Sequence, residues 1–194
     1  MDKTGDAGDD KQPKGPGQSP ETALEQIQGA VHGETILPSS NRKTWLFTYD
    51  ALMNPATLSR FVKGIVPGKV VSLPSFRLVW PFHYPPQGTA LPSIERSDGA
   101  DGPGVWGVIY DITKKDLTLL ERYLNVPNRY HQRGMNVVDR GEFRLPAITY
   151  ILTATGGSPL APSTAYRDTL VATSREYGLP EEWSTYLEGL KVEG

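Results

Sequence analysis

The residues best placed to do chemistry in this chain form one short stretch, Tyr49-Asp50-Ala51-Leu52-Met53-Asn54-Pro55. Before it runs Lys43-Thr-Trp-Leu-Phe-Thr48, rich in aromatic and β-branched side chains and read as a strand. After it, Asn54 at N-cap and Pro55 at N1 start a helix, since Asn can accept a free backbone N–H and Pro has none to satisfy. A strand, a tight turn and a helix start in that order aim the backbone N–H groups of the turn at one point, a cradle suited to a carboxylate. Asp50 adds an acid beside that cradle. Other chemistries lack their residues. There is no cysteine, hence no thiolate nucleophile, zinc-thiolate site or disulfide. No G-x-S-x-G, H-E-x-x-H or P-loop pattern occurs. His32, His83 and His131 are far apart, and Asp98 and Asp101 lack EF-hand spacing, so neither a metal nor another cofactor is implied.

The elements that must position this turn can be read from pattern. The helix opened by Asn54-Pro55 is expected to reach about Val62. Val70–Phe82 is a long β-rich stretch in which Pro74 and Pro81 must sit at edges or bends, because Pro cannot donate to a ladder. Leu91–Glu95 is a short strand, Ser97–Gly104 a loop, and Val105-Trp-Gly-Val-Ile-Tyr110 a clear strand. Thr113-Lys-Lys-Asp116 resembles a capping box and opens a helix with the stripe Leu117, Leu120, Leu124, closed before Pro127. Strands follow at about Gln132–Val138 and Phe143–Thr153, turning through Asp139–Glu142. Ser163 caps a helix to about Tyr177 that Gly178 stops, and Pro180-Glu-Glu begins a last helix carrying Trp183, Tyr186, Leu187 and Leu190 on one face. Helices and strands do not alternate regularly, which argues against a doubly wound sheet. The fold class expected is α+β: a small, mostly antiparallel β-barrel with flanking helices.

The 194 residues accommodate one domain with trimmings. Residues 1–20 are poor in apolar side chains, with four Asp, three Lys, four Gly and three Pro, and are expected to be disordered. Leu24, Ile27 and Val31 hint at a short helix, and residues 43–194 are expected to form the domain proper. With 20 Lys+Arg against 22 Asp+Glu and no basic run beyond two residues, nucleic acid is not an expected partner. No apolar stretch approaches the roughly 18 residues of a membrane span, so a cytoplasmic protein handling a small molecule is expected, its oligomeric state open.

Taken in order, these segments resemble the gamma-glutamylcyclotransferase superfamily, including its avirulence-induced-gene-like members. Leu46–Pro55 matches the family's Tyr-Gly-Ser-Asn or Tyr-Gly-Thr-Leu frame, with Tyr49, Leu52 and Met53 in place. Ser75-Phe-Arg-Leu78, Ala90–Ile94, Val105–Tyr110, Asp116-Leu117 with Leu120-Glu121 and Tyr123, Tyr130 and Gly178-Leu-Pro180 match later segments. The resemblance implies a β-barrel with flanking helices and a transferase or lyase reaction: a glutamyl amine attacks its own γ-carbonyl, releasing an amine and 5-oxoproline. It implies substrate contacts at Tyr49, Ala51, Leu52, Met53 and Tyr130.

Two positions depart from the family pattern. Its acid–base glutamate falls on Leu124, a side chain that carries no proton and that also extends the Leu117/Leu120 stripe. The glycine of its turn falls on Asp50, followed by Ala51. Asp50 either serves as the acid–base group or shapes the turn by bonding nearby N–H groups. Glu121 and Glu95 are the other acids within reach by sequence. The functional expectation is a divergent acyl-transfer-type enzyme on a small metabolite, or a small-molecule-binding module on the same fold.

Overall fold

The computed structural model describes residues 43–63, 65–97, 104–153 and 160–193. The expected helix within Glu21–Val31 and most of the Ser97–Gly104 loop lie outside them, as does His32.

Five strands close a barrel in the order β1 (Lys43–Thr48), β5 (Val105–Thr113), β2 (Val66–Leu73), β6 (Tyr130–Asp139), β7 (Arg144–Leu152) and back to β1. All neighbours are antiparallel except β1 and β7, which run parallel with Leu46 opposite Ile148. A separate hairpin, β3 (Phe76–Tyr84) and β4 (Thr89–Arg96), makes a second, two-stranded sheet. Among the described residues four α-helices accompany the sheets: α1 (Pro55–Leu58), α2 (Lys114–Leu124), α3 (Thr164–Glu176) and α4 (Glu181–Glu188). The α+β barrel expected from the sequence is the observed architecture.

Why these residues adopt these elements is largely local chemistry. Trp45 to Tyr49 are buried without alternation, as a strand covered on both faces requires. The β5 stretch behaves likewise, with Val108, Ile109 and Tyr110 all at 2% exposure or less. Asn54 Oδ1 accepts the Ala56 N–H at 2.8 Å, the cap expected. Ser163 Oγ accepts the Tyr166 N–H at 3.3 Å in the same way. At Thr113 the capping box is rearranged. Its hydroxyl accepts from Asp116 N–H at 3.2 Å, but Asp116 returns to that hydroxyl at 2.7 Å rather than to the backbone. Aspartate is one methylene shorter than the usual glutamate.

Three boundaries differ from the sequence reading. The stretch Val70–Phe82 is two strands, with Pro74 and Ser75 (φ +63°) in the turn between β2 and β3. Pro81 lies inside β3, where the pairing with β4 shifts register between Val79 and Phe82, as a missing ladder donor demands. Helix α1 ends at Leu58 rather than Val62, and the chain continues as a turn through Phe61, whose ring stacks on Tyr123 with centroids 3.7 Å apart.

One contiguous apolar cluster fills the molecule and includes Phe47, Tyr49, Met53, Leu120, Leu124 and Tyr130. It therefore runs directly beneath the turn that follows β1.

Candidate functional site at the turn after the first strand

Asp50 lies two residues beyond β1 and caps a single 3₁₀ turn, Ala51–Met53. Its backbone is extended (φ −117°, ψ −157°), so no glycine-only conformation occurs here. Asp50 shapes the turn through its side chain instead: Oδ1 accepts the Leu52 N–H at 2.9 Å. The Met53 N–H goes to the Asp50 carbonyl at 2.9 Å, and the Ala51 N–H points to the Tyr166 hydroxyl at 3.4 Å. The N–H cradle expected to face an external carboxylate is thus occupied from within, in part by Asp50 itself.

Three phenols surround that acid. Tyr49 is buried at 3% exposure, and its hydroxyl donates to the Tyr150 carbonyl at 2.8 Å, tying the end of β1 to β7. Tyr130 starts β6, buried at 5%. Tyr166 projects from the first turn of α3, with its ring edge-on to Trp80 at 6.0 Å. All three hydroxyls hold their protons above the ordinary tyrosine range, first because burial penalises the phenolate and next because the Asp50 charge is close. Burial acts on Asp50 too. Its carboxyl is pushed up to about 6, with the hydrogen bond from Leu52 acting against the shift. The site is therefore one acid able to titrate near neutrality, ringed by hydroxyls that do not ionise.

The remaining residues expected at the site lie as follows. Leu52 (8%) and Met53 (0%) bury their side chains, so only their backbone can meet a ligand, and the Met53 carbonyl already accepts from the Tyr110 hydroxyl. Ala51 is partly exposed beside Asp50. Leu124 is 4% exposed and part of the core cluster, one turn beyond Leu120. Glu121 is held by the Tyr150 hydroxyl at 3.1 Å and Gln132 at 3.5 Å, and is joined to Tyr49 only through Tyr150. Glu95 faces outward in the β3–β4 hairpin, where Arg77 Nε donates to it at 2.8 Å. Among the described residues no group of three His, Cys, Asp or Glu could hold a metal ion.

Sequence reasoning missed Tyr166. It lies 115 positions from Ala51, in a helix identifiable only by its Ser163 cap, and no local signal ties it to the turn. Ser93, which hydrogen-bonds Tyr49 and accepts the Leu152 N–H at 3.2 Å, was equally hidden in a short strand.

The model of the AIG2-like family matches residues 104–187. That stretch contains Glu121, Leu124, Tyr130 and Tyr166 and leaves the Asp50 turn outside. A gamma-glutamyl cyclotransferase of known structure superposes with a TM-score of 0.71 at 19% identity, over 78% of this chain and 90% of its own. A human protein described as uncharacterized gives 0.69 at 20% identity over the same shares. YkqA from Bacillus subtilis gives 0.63 at 16%, over 79% of this chain and 57% of its own. No curated protein matches the sequence. At these identities the superpositions speak to the fold alone, which is like that of the gamma-glutamyl cyclotransferase of known structure.

Proposed function

We propose that this chain acts on a small amide-bearing metabolite, with Asp50 as its acid–base group and Tyr49, Tyr130 and Tyr166 shaping the surroundings. One observation carries the reading: the carboxyl at the turn titrates at about 6, whereas the position of the family's glutamate is a buried leucine. A group with a pKa near the working pH can take a proton from an attacking nucleophile and return it to a departing amine. Leu124 can do neither.

The same acid restricts the substrate. Two like charges ~4 Å apart repel by roughly 4 kcal/mol at an effective dielectric near 20, close to three decades of affinity. A free glutamyl carboxylate is therefore disfavoured at the turn, and the substrate presents a neutral or cationic group there.

The test is consumption of a panel of neutral and cationic amides, followed by mass spectrometry, in the wild type and in Asp50→Asn. Turnover should fall as pH drops through about 6 in the wild type, and Asp50→Asn should lose on the order of 10²–10⁴-fold. An unchanged rate in that variant removes Asp50 from the mechanism. A second reading, a binding module without turnover, is favoured by the internal bonding of the turn. It requires ligand-induced thermal stabilisation with no product formed.

A further inference from the structure

Beside the α2–β6 connection lies a cavity of about 310 Å³, lined by Phe82, Tyr84, Asn125, Asn128, Arg129 and Leu152. It sits at the lower end of the size range of small-metabolite sites. Among the described residues, its walls combine two rings and an aliphatic side chain with a single charge, the Arg129 guanidinium, and no carboxylate. That guanidinium lies over the Tyr84 ring, 4.7 Å from its centroid, and 5.8 Å from that of Tyr130. One nitrogen of its fork donates to the Tyr123 carbonyl at 2.8 Å. Its Nε is buried and has no hydrogen-bond partner among the described residues.

An unmet buried donor is costly, and on this half-buried cation the cheapest partner for the guanidinium is an acceptor of opposite charge. The backbone around it is built to stay put. Asn125 adopts a left-handed conformation (φ +55°) that closes α2, and Asn128 Nδ2 donates to Asn125 Oδ1 at 3.3 Å. That bond orients the Asn125 amide, whose N–H₂ is a second donor.

We infer that this cavity is a binding site for a small organic carboxylate with an apolar or planar body, anchored by Arg129. The carboxylate meets the guanidinium edge, and the body packs against Phe82, Tyr84 and Leu152. A lone cation with a planar fork matches a carboxylate in charge and geometry, whereas a phosphate dianion would leave one charge uncompensated. The inference is independent of Asp50 chemistry.

Benzoate and its uncharged counterpart benzamide are suitable probes, with binding to the full chain followed by thermal shift and by NMR. Benzoate is expected to bind saturably, to perturb the Asn125, Asn128 and Tyr84 signals, and to bind at least tenfold more tightly than benzamide. Arg129→Gln should weaken benzoate at least tenfold and benzamide hardly at all. Arg129→Lys, which keeps the charge and guards against a folding defect, should recover part of the loss. Asp50→Asn should leave benzoate binding intact, so failure of the Asp50 mechanism and failure of this site are separable. Equal affinity for benzoate and benzamide, indifference to Arg129→Gln, preference for inorganic phosphate, or no binding would each overturn the inference.

Discussion

At the scale of single residues, Asp50 takes the turn-shaping role that the sequence left as one of two alternatives, and its acid–base role is the proposal. Its side chain caps the turn, accepting from Leu52, while burial raises its carboxyl to about 6. The linkage sign follows from the raised value. The folded state holds this proton more tightly than the unfolded chain, so the group's stabilising contribution is complete below about pH 4 and is lost as pH rises through about 6. Allowing for partial exposure, the loss is on the order of 2 kcal/mol. Asp50→Asn keeps an oxygen for the Leu52 N–H and removes the charge. Urea unfolding should therefore show it more stable than the wild type at pH 7.5, with a flatter dependence between pH 4 and 6. A destabilised Asn variant at pH 7.5 would mean that the carboxylate is a net structural asset. Leu124→Glu probes the other altered position. It places a carboxyl in the apolar cluster, with an expected cost of roughly 2–4 kcal/mol by urea unfolding. It should not create 5-oxoproline release, because the Leu52 N–H is already taken by Asp50.

At the scale of elements, the turn keeps its place because β1 and β5 approach closely at Gly107. A Cβ on Gly107 would collide with the Thr48 carbonyl oxygen and come within 2.8 Å of the Phe47 ring. Thr48 Oγ1 also donates to the Val108 carbonyl at 3.0 Å, fixing the last residue before Tyr49 and Asp50. Gly107→Ala should destabilise the domain by about 3 kcal/mol or more, since backbone on one side and a core ring on the other cannot both yield. A melting temperature within a few degrees of the wild type would contradict that close approach. Much at this scale could be read from the sequence. The β5 stretch, the caps at Asn54, Thr113 and Ser163, and the stop at Gly178 (φ +63°) all announce themselves within a few residues. What could not be read was long-range. The parallel closure of β1 on β7 pairs Leu46 with Ile148, and a repetitive β-rich stretch does not reveal that the chain passes at Pro74 from the barrel strand β2 into the separate β3–β4 sheet.

Across the whole molecule, the same limit separates what was legible of the site from what was not. Asp50 and Leu124 stand out because each departs from an ordered pattern around it. Tyr166 and Arg129 acquire meaning only once α3 and the α2–β6 connection are folded against the barrel. None of the helices among the described residues is long and apolar enough to cross a membrane. The barrel resembles a gamma-glutamyl cyclotransferase in shape, and the proposed function moves the proton-carrying group from the end of α2 to the turn after β1. The most direct test of that relocation is 5-oxoproline release from gamma-glutamyl amides by the purified wild-type chain between pH 5 and 8. No release above the uncatalysed background is expected. Rapid release, unaltered by Asp50→Asn, would contradict it.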